Sequence, residues 1–102
     1  MKVDISDKEL LKLYKEGKSN KLKLPDDIIK KFFMRIRSIE SAIDIYDFRD
    51  EPSIRFEKLE GYENRFSMRL NNKYRLEMEI IWENENKTLG TFYILKISKH
   101  YK

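Results

Sequence analysis

At Pro52 the apolar pattern of this 102-residue chain changes its period. Upstream, Leu10, Leu13 and Tyr14 recur at helical spacing, as do Ile29, Phe32, Phe33, Ile36, Ile39 and Ile43. Downstream, Phe66, Met68 and Leu70 alternate with Ser67 and Arg69, and Tyr74, Leu76, Met78 and Ile80 alternate with Arg75, Glu77 and Glu79. A helix buries one stripe of a period near 3.6, whereas a strand with one wet face buries every second residue. Helices therefore come first and strands afterwards. That segregation predicts an α+β fold: two N-terminal helices packed on an antiparallel β-meander.

Punctuation sets the boundaries. Residues 1–5 can form a short first strand. Ser6 and Glu9 have capping-box spacing and Gly17 is a natural stop, so the first helix is expected over residues 7–16. Pro25 suits a first helical turn, and Asp26 and Asp27 complement the positive end of the helix dipole. The second helix is expected over residues 25–42, with Lys30, Lys31, Arg35 and Arg37 mainly off its apolar face, toward solvent or a ligand. Ile43, Ile45, Tyr46 and Phe48 can add one helical turn before Pro52. Strands are expected over residues 54–59, 65–70, 74–82 and 91–97. Asn71 and Asn72 fit the positive φ values of a tight hairpin.

One domain, residues 1–102, is the expectation at this length, with a core that needs no staples. The sequence contains no cysteine, so disulfides and thiolate zinc sites are excluded. One histidine and scattered acids do not suggest a metal site, and with three glycines no phosphate-cradling glycine-rich loop is present; no cofactor is expected. No apolar run approaches the ~20 residues of a membrane span, and the first residues lack a signal-peptide core. The reading is a soluble, cytoplasmic protein without a membrane partner. Its formal net charge is +4, but residues 8–37 hold ten basic and four acidic side chains, a local excess of +6. Such a sector suits a polyanion such as RNA, and a solvated lysine-rich helical face fits the same composition equally well.

The chemistry-bearing residues cluster toward the C-terminus. Metal-free RNA cleavage needs a cation on the scissile phosphate and groups that move protons at the attacking and leaving oxygens. Arg75 supplies a permanent charge with two-point phosphate geometry. An ion pair with Glu77 or Glu79 is its bland alternative. His100, the one histidine, titrates near neutrality and stands beside Tyr101, which can exchange a proton or stack on a base. Glu57 and Glu60 are the alternative general bases. Arg55, Lys58, Arg69, Lys73 and Lys99 supply positive charge for RNA binding, or are solvated strand and turn residues.

Phe66, Ser67, Met68, Arg69, Leu70, Asn71, Asn72, Lys73, Tyr74 and Arg75 follow, position by position, a run typical of one toxin branch. The chain resembles the RelE/ParE superfamily, in particular its HigB-like, plasmid-maintenance-killer branch, from about Leu11 onward. Residues 54–61 are similar to that branch's segment Arg-Leu-His-Pro-Leu-Lys-Gly. The resemblance implies a RelE-like fold and a ribosome-dependent mRNA endonuclease that acts in the ribosomal A site. There the RNA's own 2′-hydroxyl attacks the adjacent phosphate. It implies Arg75 as the phosphate-stabilising arginine, and a helix-turn-helix antitoxin as partner. The toxin is expected to be monomeric, assembling further through the antitoxin. Glu57 and Glu60 stand where many members have His and Lys, and Lys99, His100 and Tyr101 stand where many have Asp, Tyr and His. Those exchanges favour an alternative: a binding module that blocks the ribosome or gyrase without cutting, or a catalytically degraded antitoxin-binding homologue.

Overall fold

The structure is a computed structural model that describes residues 1–99. Its elements are β1 (Val3–Ile5), α1 (Lys8–Glu16), α2 (Asp26–Ser41), α3 (Tyr46–Arg49), β2 (Glu57–Lys58), β3 (Arg65–Arg69), β4 (Tyr74–Trp82) and β5 (Gly90–Lys99). The order across the sheet is β1-β5-β4-β3-β2. β2 to β5 form the expected antiparallel meander, and β1 joins β5 in parallel, so the sheet is mixed. The parallel pairing arises because the helices carry the chain away and return it from the far edge of the sheet.

The start of α1 is capped one residue later than capping-box spacing suggests. Asp7, not Ser6, accepts hydrogen bonds from the amides of Glu9 and Leu10, both at 2.9 Å. Gly17 ends the helix in the left-handed region at φ 79°, a conformation that costs a side chain-bearing residue roughly 1–2 kcal/mol. The C-terminus of α2 is covered by the Met1 ammonium group, which donates to the carbonyls of Ile39, Glu40 and Ala42 at 2.9, 3.1 and 2.9 Å. A cation among orphan carbonyls complements the negative end of the helix dipole.

The core lies between the helices and one face of the sheet. Leu10 and Leu13 of α1 and Ile28, Phe32, Ile36 and Ile39 of α2 meet Met68, Leu76, Met78, Ile80, Phe92 and Ile94 of the strands. Phe48 of α3 meets Phe56 and Phe92 edge-on, and Phe56 stacks on Phe66 with ring centroids 5.1 Å apart. Trp82 packs against this cluster.

Four expectations need correction. Asn71 and Asn72 shape the β3–β4 hairpin without the positive φ values expected of them; among the described residues other than glycine, Arg55 and Lys87 take positive φ. Ile43 belongs to the apolar periodicity of α2 but is 79% exposed. Ala42 turns to an extended conformation at φ −69° and ψ 138°, so Ile43 loses the helical phase. Arg35 was expected to face solvent or a ligand; it is 6% exposed, on the stripe of Ile28, Phe32 and Ile39. Residues 54–59 are a strand only at Glu57 and Lys58. Ile54 instead donates its amide to Glu51 at 3.1 Å, and Arg55 takes φ 46°.

Candidate functional site

The sheet face turned away from the helices carries most of the chain's charged strand residues. Directly opposed residues of antiparallel strands share a face, so the register maps it. One row runs Arg69, Arg75, Ser98. The next runs Glu57, Ser67, Glu77, Lys96. A third runs Arg65, Glu79, Tyr93, and β1 adds Asp4 beside Tyr93.

A β-bulge keeps the β5 residues in phase with these rows. Met78 pairs with Ile94 but Glu77 pairs with Lys96, which leaves Leu95 as the extra residue. Without it, continuous alternation would bring Leu95 opposite Glu77 and turn Lys96 toward the helices.

The row of Arg69 and Arg75 is the most cationic corner. These two arginines are directly opposite each other, where like charges are unfavourable unless an anion or another group lies between them. The Arg69 guanidinium is held by the side-chain oxygen of Asn72. Its backbone amide donates to the Ile54 carbonyl at 2.6 Å, which brings the turn bearing Arg55 alongside. Arg55 forms a 3.3 Å ion pair with Glu57. Its left-handed backbone is uncommon for a residue other than glycine. Lys73 sits exposed at the hairpin tip, where the Asn71 side chain accepts from the amides of Lys73 and Tyr74 at 2.8 and 2.9 Å.

Arg35 anchors this corner from behind. Its Nε donates to the Arg69 carbonyl at 3.1 Å and an Nη to the Ser53 carbonyl at 3.5 Å. Burial pushes the guanidinium below its ordinary pKa, and nearby Glu51 opposes that shift. One buried side chain thus joins α2 to both chain segments that carry Arg55 and Arg69. Sequence reasoning missed it, although its spacing from Ile28, Phe32 and Ile39 was the available signal.

The structure therefore brings together Arg55, Glu57, Arg69 and Arg75, with Lys73 at the hairpin tip. It separates others from them. Lys58 pairs with Phe66, on the helix-facing side of the register. Lys99 pairs with Tyr74, its ammonium 5.9 Å from that ring, and so leaves the strand on the face opposite Arg75. Glu60 is exposed in the turn after β2, toward Arg65, where residues 58–62 line a shallow recess of about 370 Å³. His100 and Tyr101 lie outside the described residues. Arg65, over the Tyr62 ring at 4.4 Å, and Lys96 are further cations that sequence reasoning did not select.

Electrostatically, the corner can hold a phosphate on the Arg69 and Arg75 row, with the Glu57 carboxylate one row away. Comparison with known proteins agrees with the motif-based resemblance: the family model of the RelE-like toxin of the type II toxin-antitoxin system HigB matches residues 3–96. No curated protein matches the chain.

Proposed function

The chain belongs to the HigB-like family of RelE-like type II toxins, and from that premise we propose that it stops translation by cutting mRNA held on the ribosome. The family implies an antitoxin as partner. The observation that carries the finer reading is the opposed pair Arg69 and Arg75 on the open sheet face, with Arg55 alongside. Guanidinium groups placed across one row fit the non-bridging oxygens of a single phosphate.

In the proposed reaction the RNA 2′-oxygen bonds to the adjacent phosphorus and the bond to the 5′-oxygen breaks. The products are a 2′,3′-cyclic phosphate, which can open to a 3′-phosphate, and a 5′-hydroxyl. A base takes the 2′-hydroxyl proton and an acid gives one to the departing 5′-oxygen. Arg75 stabilises the extra negative charge of the transition state. Glu57, the proposed base, lies one row away in register, as does Glu77. His100 and Tyr101 are the proposed proton-transfer partners.

With a single histidine, the chain lacks the paired imidazoles of a free-standing ribonuclease. It depends on the ribosome to align the 2′-oxygen with the leaving group, a positioning effect. The non-cleaving alternative rests on the 3.3 Å ion pair that engages Glu57 with Arg55. Primer extension separates the two readings. The cleaving reading requires new 5′ ends on ribosome-bound mRNA and little cutting of naked RNA. Growth arrest without new 5′ ends selects the blocking module.

A further inference from the structure

Where α2 gives way to α3, the chain shows solvent a surface unlike the rest of its helical layer. The helix stops at Ser41 and an extended Ala42 throws Ile43 outward, 79% exposed. Tyr46 follows at 55% exposure, and Met34, on the α2 stripe that continues through Ser38 and Ser41, is 51% exposed. The turn is firmly built: the Ile43 amide donates to Asp47 at 2.7 Å, the Tyr46 amide to Asp44 at 2.9 Å, and the Ile45 amide to the Thr88 carbonyl at 3.0 Å. These apolar groups are held in place rather than left on a loose loop.

Their surroundings are acidic. Residues 40–51 contain five carboxylates (Glu40, Asp44, Asp47, Asp50, Glu51) against one cation, Arg49. Arg49 lies 5.7 Å from the Tyr46 ring centre. Two further cations lie against this stretch, the Met1 ammonium on the carbonyls of Ile39, Glu40 and Ala42 and Arg35 near Glu51, and an acidic excess remains. A recess of about 340 Å³ opens within it, lined among others by Ser38, Asp47, Glu51 and Ser53, with buried Arg35 in its wall. It adjoins the Arg69 corner, since Arg35 also holds the Arg69 carbonyl.

We propose that this α2–α3 corner is where the antitoxin docks, through a segment that presents an apolar side chain flanked by lysine or arginine. The proposal rests on the family's antitoxin partner and adds the surface and its chemistry. Charge selects the occupant: the acidic excess of this corner, with five carboxylates over residues 40–51, repels RNA and attracts a basic segment. The +6 sector of residues 8–37 repels the same segment, so the molecule's two poles set the direction of approach. Ile43 and Tyr46 supply desolvated anchor contacts, and the carboxylates form the polar rim. Docking there leaves the open sheet face uncovered and touches the residue that positions Arg69.

The test is co-expression of the full tagged chain with its cognate antitoxin, followed by titration of that antitoxin against Ile43→Lys, Tyr46→Ala and Asp50→Lys variants. Wild type is expected to retain the antitoxin, with affinity falling as salt is raised. Ile43→Lys should weaken binding by about tenfold or more, and the other two by smaller factors. All three should keep the wild-type circular dichroism and still arrest growth, now in the presence of antitoxin. Three folded variants with unchanged antitoxin affinity would overturn the docking surface while leaving the family reading intact. Loss of self-association instead of antitoxin binding, seen by size exclusion, would overturn it in favour of a second copy. Failure of the wild-type chain itself to bind antitoxin would remove the premise.

Discussion

Two arginines do different work within one corner of the fold. Arg75 lies on the open face opposite Arg69, and its proposed role is to meet charge that grows in the transition state. Arg75→Ala should lower cleavage of ribosome-bound mRNA by ~100–1,000-fold, the usual cost of losing one such donor, with circular dichroism unchanged. Full cleavage by that variant would place the chemistry elsewhere. Arg35 lies off the open sheet face, buried in the wall of the α2–α3 recess. Arg35→Met should destabilise the fold because it strands the Arg69 and Ser53 carbonyls. An unsatisfied buried polar group costs about 1–3 kcal/mol, and each kcal/mol lowers Tm by about 4–8 °C in a domain near this size. Arg35→Lys should rescue little of that loss, since a single ammonium cannot reproduce the planar fork. Thermal unfolding of both variants checks this. Arg35 was legible only as a break in hydrophobicity at a core position, and a charged residue at such a position reads more readily as exposed than as buried and bonded.

Among the elements, those governed by short-range rules were readable and those governed by distant pairing were not. The helices, the place of the β3–β4 hairpin (though not the positive φ expected of its asparagines) and β4 follow from periodicity and turn chemistry within a few residues. The alternation of Ser67 with Arg69 and of Arg75 with Glu77 likewise assigns Arg69 and Arg75 to the polar face of their strands by the period of two alone. The short span of β2, its register against Ser67 and the parallel docking of β1 depend on contacts far along the chain. The bulge at Leu95 left a trace, because Ile94 and Ile97 both face inward three residues apart and so break a period of two. Local rules can also be off by one: spacing marks a helix start near Ser6, but it does not choose between adjacent oxygen-bearing side chains. Asp7→Ala should therefore cost about 1 kcal/mol, the usual value of an N-cap, whereas Ser6→Ala should change Tm very little. Parallel melts of the two variants decide which residue caps α1.

At the scale of the whole molecule the charges are sorted rather than mixed. Residues 8–37 carry an excess of +6 with nine of their ten cations exposed, and residues 40–51 carry −4. The candidate cleavage corner lies on the sheet, whereas the positive pole spans α1, the connection after it and the start of α2. A molecule built this way can use one surface to hold an RNA-rich target and another to react. The separation predicts a division in the kinetics. Replacing Lys12, Lys15, Lys30 and Lys31 together by glutamine should weaken association with ribosomes, because each phosphate contact contributes roughly 0.7–0.9 to the slope of log affinity against log salt. The slope should flatten by about 1.4–3.6 if two to four of these lysines reach phosphates. At saturating ribosome concentration the cleavage rate should stay within about twofold of wild type, since uniform binding changes KM and leaves kcat in place. The Arg75→Ala variant should do the reverse, lowering kcat with the salt slope nearly unchanged. Measured together by primer extension across a salt series, the two variants test whether docking and chemistry occupy different faces. A quadruple lysine variant with the wild-type salt slope would return that sector to the role of a solvated helical surface.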